Sequence, residues 1–174
     1  MNKNSGIYPN FKVKIAKKED LTELTLCAKE FIELIEKFKL NFLDGKYLTL
    51  LTYYNDLIAG VLIAQELIPK VDSVENILPK TLLKLIYVNP NFRNKLIGTK
   101  LLLTFLKNQK EKGIASVFIK LPQKYKSGIK FFETNNFRRV GKIKDIIILE
   151  FNLWNDFGIR FSEFLADDIN HILE

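Results

Sequence analysis

The stretch VNPNFRNKLIGTKLL, from Val88 to Leu102, constrains this chain more than any other, because it turns an apolar strand into a helix through a short basic loop. Ahead of it runs TLLKLIYV, Thr81 to Val88, rich enough in branched and aromatic residues to form a buried strand. Pro90 removes a ladder donor just beyond, so the strand ends there. Ile97, Leu101, Phe105 and Leu106 then recur at helical spacing with Lys100, Lys107 and Lys110 between them, and Gly113 is placed to stop the helix. A helix therefore begins near Leu96. Its first amides, which have no intrahelical partner, point into the loop that holds Arg93 and Lys95. Dipole, donors and side-chain charge converge there on one anion site.

At these residues the chain resembles the GNAT superfamily of N-acetyltransferases, whose signature is a strand ending V-x-P, then R-x-x-G-x-G/A, then an apolar helix. Val88, Pro90, Arg93 and Gly98 fit that signature, and Leu96 stands where the family usually has its first glycine. A Leu there still offers its amide but adds a side chain to the loop. The resemblance implies acetyl-CoA as cosubstrate. It places the pyrophosphate on the loop of Arg93, Asn94, Lys95, Leu96, Ile97, Gly98 and Thr99, and the pantetheine along the backbone of Ile86, Tyr87 and Val88. It also implies an amide donor for the oxyanion near Val88.

The segment KYKSGIKFFETNNFRRVG is similar to a second family landmark, N-x-x-A-x-x-F-Y followed by G-F. Tyr125 takes the Asn place, Gly128 the Ala place, Phe131 matches, Phe132 replaces the Tyr, and Asn136-Phe137 replaces Gly-Phe. Asn tolerates the left-handed backbone that Gly supplies at a helix end. In much of the family the missing Tyr hydroxyl protonates the departing thiolate. Here Tyr125, Ser127 or water must serve, or the thiolate leaves unassisted. For the base the resemblance points to Glu66, at the end of the third strand, and Tyr87, beside the cofactor loop. Each has a structural alternative: Glu66 exits to solvent, and Tyr87 packs its ring in the core with the hydroxyl at the rim. A poor base suits an α-amine of pKa about 8 better than a Lys amine of about 10.4. The implied reaction is acyl transfer to a small-molecule or peptide amine by direct attack on the thioester. The alternative, carried by Leu96 and Phe132, is a catalytically degenerate GNAT-fold module that binds coenzyme A or a protein partner.

The remaining segments supply elements in the order that the family requires, for an α/β (α+β) fold with a mixed, mostly antiparallel central sheet flanked by helices. FKVKIA, Phe11 to Ala16, alternates as a first strand, and Leu21, Leu24, Ala28, Phe31, Ile35 and Phe38 trace one helix stripe with Glu23, Glu30, Glu33 and Glu36 outward. Tyr47 to Tyr53 and Leu57 to Glu66 read as a hairpin across Tyr54-Asn55-Asp56, followed by a long loop, Ile68 to Lys80. After the cofactor helix come a strand at Ser116 to Leu121, a helix at Ser127 to Asn135 and a strand region at Arg138 to Leu153. The core thus spans residues 11–153 of a single domain, with a C-terminal helical extension at 154–174. That extension either packs on its own sheet or forms a homodimer interface.

Composition sets the remaining bounds. At 174 residues and 47% hydrophobic content the chain buries a real core, and no Pro/Gly/Ser linker divides it. A lone Cys27 forbids an internal disulfide, and MNKNSGIYPNF has no apolar signal region, so a reducing cytoplasm is expected. No apolar run reaches the roughly 20 residues that span a bilayer. His171 is the one histidine and has no ligand-spaced Cys or carboxylate cluster, so no metal site is expected. Lys+Arg outnumber Asp+Glu by 27 to 20, with much of the +7 excess between Lys95 and Lys144. A polyanionic cofactor is a sufficient reason for that excess. Nucleic acid is disfavoured, since there is no zinc spacing, RNA-binding signature or long basic run.

Overall fold

Residues of alternating burial sort the core onto the two faces of one sheet. The structure, a computed structural model, describes residues 11–67 and 78–154. Its strands are β1 (Lys12–Ile15), β2 (Leu48–Tyr54), β3 (Leu57–Leu67), β4 (Lys80–Val88), β5 (Ser116–Pro122), β6 (Arg138–Ile143) and β7 (Ile146–Asn152). They form a seven-stranded sheet in the order β1-β2-β3-β4-β5-β7-β6, antiparallel throughout except between β4 and β5. On one face lie α4 (Ile97–Glu111) and α5 (Lys126–Thr134), whose Leu101, Leu102, Phe105 and Ile129 pack on Leu62, Leu83, Val117 and Leu149. On the other lie α1 (Leu21–Cys27), α2 (Lys29–Ile32) and α3 (Phe38–Leu43), whose Leu24, Ile32, Phe38 and Phe42 cover Leu51, Val61 and Ile63.

The stripe expected to be one helix from Leu21 to Phe38 is broken. Ala28 leaves helical geometry at φ −121°, ψ 29°, and Lys37 is left-handed at φ 50° just before α3. After the break Ile32, rather than Phe31, enters the core, which leaves Phe31 38% exposed. The four outward acids are exposed as read. The hairpin turn falls where Asn55 and Asp56 lie, both left-handed at φ 47° and 64°, the geometry that matches the twist of the flanking strands. The region from Arg138 to Leu153 is itself a hairpin, reversed near Lys144 at φ 55°. The expected C-terminal helix with His171, and residues 68–77 of the long loop, lie outside the described residues. Among the described residues no helix is long and apolar enough to cross a membrane.

Two polar clusters fasten the end of the sheet where β4 meets β5. Gln109 on α4 is fully buried and accepts the Thr81 hydroxyl bond, while its amide nitrogen donates to Glu66 Oε1 at 3.3 Å. Lys112 Nζ donates to the same Glu66 oxygen at 2.6 Å. Nearby, Glu150 on β7 accepts from Ser116 Oγ at 2.7 Å and Lys80 Nζ at 3.5 Å. A buried polar group left without such partners would destabilise the fold.

At the other end of the sheet, Gly60 on β3 lets α4 lie against the strand. A Cβ there would come within 2.8 Å of Leu101 Cδ1 and 2.9 Å of Ile97 Cγ2. Gly60→Ala is expected to destabilise the protein by about 1–3 kcal/mol through overpacking. Calorimetry should show a melting temperature lowered by several degrees. An unchanged value would mean that the first turns of α4 do not rest on this strand.

Candidate active site

Parallel pairing joins β4 and β5 only over Lys80–Leu83 and Ser116–Ile119. Beyond that, β4 continues with β3 to Val88, while β5 stays with β7 to Pro122. The two strands therefore part. From Lys84 to Val88 the main chain of β4 has no β5 partner, so the backbone groups on its side away from β3 border the gap. Backbone groups of this kind demand partners, and an extended ligand carrying amides supplies them much as an added strand does. Ile86 and Val88 face the α4 side of the gap, whereas Leu85 and Tyr87 face the α1–α3 side.

At the open end the chain turns through a tightly held loop. Asn89 accepts a bond from Asn91 N at 3.1 Å, starting a 3-10 turn over Pro90–Phe92. Arg93 Nε donates back to the Val88 carbonyl at 3.1 Å. Lys95 Nζ sits over the rings of Phe92 and Tyr54, at 5.7 and 6.0 Å from their centroids. Between these clamps the backbone is left-handed at Asn94, φ 62°, and just after them again at Leu96, φ 60°, ψ 15°. Asn adopts that region readily. For Leu it costs on the order of 1–2 kcal/mol. The 15-residue α4 begins at Ile97, and helix geometry leaves the amides of Ile97, Gly98 and Thr99 without intrahelical carbonyls. A Cβ on Gly98 would sit 3.5 Å from both Val88 Cγ2 and Phe131 Cζ, so this first turn is wedged between β4 and α5.

Across the sheet, the Tyr87 ring meets Phe31 in a tilted contact, with ring centroids 5.1 Å apart. Burial pushes the Tyr87 hydroxyl above its ordinary pKa, helped by the Cys27 thiol and Glu30 and opposed by Arg93. Burial and then Glu23 likewise raise Cys27, whose Sγ lies 3.7 Å from the Ile58 carbonyl. Phe31 was read from the sequence as a core position; its helical spacing carried no sign that it meets Tyr87.

Glu66 is not brought to this end. It stands opposite Thr81 on β4, whereas Tyr87 stands opposite Val61. Along β3 that is a separation of about 16 Å at the usual strand rise. Burial alone would raise its carboxyl, but the bonds from Lys112 and Gln109 hold it below the ordinary value. Tyr125 precedes α5 with its ring laid on Gly128, whose missing Cβ would fall 2.4 Å from Tyr125 Cε1, and it remains 54% exposed. Phe132 is buried, its ring edge-on to Phe131 and Phe137 with centroids 5.1 Å away in each case. Asn136 holds the left-handed place at φ 66°. Among the described residues no group of three or more His, Cys, Asp or Glu is arranged to hold a metal.

No family model and no curated protein matches the sequence. Solved structures match the architecture. PaiA N-acetyltransferase from Thermoplasma acidophilum, in complex with coenzyme A, superposes with a TM-score of 0.66 at 20% identity, over 82% of this chain and 98% of that one. Naa50 from Arabidopsis thaliana, in complex with the bisubstrate analogue CoA-Ac-MVNAL, gives 0.68 at 15% identity, over 82% and 99%. The ribosomal-protein-S18-alanine N-acetyltransferase from Escherichia coli gives 0.62 at 15% identity, over 82% and 94%. The chain has the GNAT fold. Within that fold the parted strands, the clamped loop and the start of α4 form one continuous wall, and Tyr87 with Phe31 stands on the opposite face of the sheet.

One charged cluster on that opposite face is structural. Asp20 accepts from Lys17 N at 2.7 Å, Lys14 Nζ at 2.9 Å and the Tyr53 hydroxyl at 3.4 Å. Burial pushes the Tyr53 hydroxyl up to about 12, with Asp20 and Glu23 adding to it. For Asp20 burial acts upward, yet the Lys17, Lys14 and Tyr53 bonds outweigh it and lower the carboxyl below 3.8. A depressed carboxylate contributes stability above its unfolded pKa and loses it as pH falls through the folded one. Asp20→Asn should therefore cost about 1–3 kcal/mol at pH 7. In thermal melts across pH, the gap between wild type and variant should close below about pH 4; a constant gap would show that the charge contributes nothing.

Proposed function

We propose that this protein is an acyl-coenzyme A-dependent N-acyltransferase, with acetyl-CoA as donor and a small-molecule or peptide amine as acceptor. The observation that carries the reading is the gap between β4 and β5, which ends at the free amides of α4. Its fold is shared with solved structures in complex with coenzyme A and with acetyl-CoA. The residues fit such a donor. The amides of Ile97, Gly98 and Thr99, with Arg93 and Lys95, form an electropositive end for a diphosphate. Main-chain groups of Ile86 to Val88 suit the amides of a pantetheine arm, and an amide near Val88 is the proposed oxyanion donor. When bound, acetyl-CoA supplies an activated thioester carbonyl.

Among the described residues the acceptor side offers no strong base. The raised pKa of Tyr87 keeps its hydroxyl protonated at neutral pH, so it serves as a hydrogen-bond partner for the amine and not as a phenolate. Glu66 is engaged by Lys112 at the far end of β3, which weighs against this role for it. The amine must then arrive neutral, which favours an α-amine or another acceptor of low pKa. Phe132 has no proton to give, and Tyr125 or water takes the donor's part. A second reading, a coenzyme A-binding module without turnover, is favoured by the burial of Phe132 among Phe131 and Phe137.

Titration of the protein with acetyl-CoA is expected to give micromolar binding, and Arg93→Glu should weaken it by at least about tenfold. Unchanged affinity in the variant would remove the loop from the site. In an amine panel monitored by coenzyme A release, the rise of kcat/KM with pH should follow the pKa of the acceptor, shifting between α-amine and Lys substrates. Tight binding with no release from any amine would select the second reading.

A further inference from the structure

Gly128 stands where alanine would serve the helix better. It is buried in the first turn of the nine-residue α5, and glycine there leaves the backbone less stable than alanine does. The space that an alanine needs is occupied. A Cβ at Gly128 would fall 2.4 Å from Tyr125 Cε1 and 2.5 Å from Tyr125 Cδ1, so the ring lies directly on the glycine. The backbone under that ring is tied on both sides: Tyr125 N donates to the Pro122 carbonyl at 2.9 Å, and Ile129 N donates to the Tyr125 carbonyl at 3.1 Å. This seat is on the gap. Because β4 and β5 run parallel, Pro122 and Val88 finish at the same, open end of the sheet, and Tyr125 follows Pro122 by one turn. Farther along the same helix face, Phe131 meets the start of α4, where a Cβ on Gly98 would lie 3.5 Å from both Phe131 Cζ and Val88 Cγ2. The Tyr125 ring therefore lies on the face of α5 that turns toward α4 and the end of β4, whereas Phe132 is buried in the core.

Resting on the acyltransferase reading, we infer that Gly128 is a positioning residue, whose missing side chain seats Tyr125 at the gap as the proton donor to the departing thiolate. As the amine nitrogen bonds to the carbonyl carbon and the carbon–sulfur bond breaks, the Tyr125 hydroxyl gives its proton to sulfur. The amine's proton leaves to water, and the Tyr125 phenolate takes a proton back from solvent.

Tyr125→Phe and Gly128→Ala, assayed with acetyl-CoA and the most active acceptor of the amine panel, test this. Tyr125→Phe should lower kcat by at least about tenfold with KM little changed. With p-nitrothiophenyl acetate, whose thiolate leaves without a proton, wild type and Tyr125→Phe should turn over at the same rate. Gly128→Ala should melt at or above the wild-type temperature and yet lower kcat as Tyr125→Phe does, and the double variant should be no slower than Tyr125→Phe alone. An unchanged kcat in either single variant would overturn the inference, as would equal losses with both thioesters, which mark a merely structural role. A wild-type protein that binds acetyl-CoA and releases coenzyme A to no amine would instead overturn the acyltransferase reading, and the inference with it.

Discussion

The short parallel pairing of β4 with β5 is the constraint on which the site depends. Because it stops at Leu83 and Ile119, β4 keeps one partner, β3, for the rest of its length, and β5 follows β7 away from it. A sheet that stayed paired to Val88 would have no unmatched backbone to offer and no room beside it. The parting also aims the end of β4 at the start of α4, so strand groups without a β5 partner and helix amides without intrahelical carbonyls face the same space. Backbone polarity, which most folds consume internally, is here left available.

That opening needs a firm closed end. The Thr81–Gln109–Glu66–Lys112 chain ties β3, β4 and α4 together, and Glu150 ties β7 to the first residues of β4 and β5. Gln109 is fully buried in an otherwise apolar helix face, a position that a longer Leu run would fill as well by area alone. Its amide has donor and acceptor to satisfy Glu66 and Thr81 at once, so the network fixes the register of α4 against the sheet. With Gly60 admitting Ile97 and Leu101 at the other end, α4 is located at both ends, and its N-terminal amides are held in place relative to β4.

Much of this was legible in the chain. The strand from Thr81, its stop before Pro90, the helix from Ile97 to the left-handed Gly113, and the tolerance of Asn136 for positive φ all follow from residues within a turn or two of each other. The helical stripe from Leu21 to Phe38 misled, because periodicity counts apolar positions and not the bends between them; breaks at Ala28 and Lys37 move Ile32 inward and Phe31 outward. Glu66 and Tyr87 looked comparable as strand residues near the cleft. Which of them stands at the open end depends on how β3 and β4 are registered.

By itself, then, the sequence determined the local pieces: a strand, a basic loop and a helix start in direct succession, with the turn residues that join the others. Tertiary structure decided what these pieces face. The parting of β4 and β5, the meeting of Phe31 with Tyr87, the seat of Lys95 over Tyr54, and the capture of Glu66 by Lys112 join residues far apart in the chain. No local propensity encodes such contacts, because each exists only once the sheet has set its register and the helices have closed on its two faces.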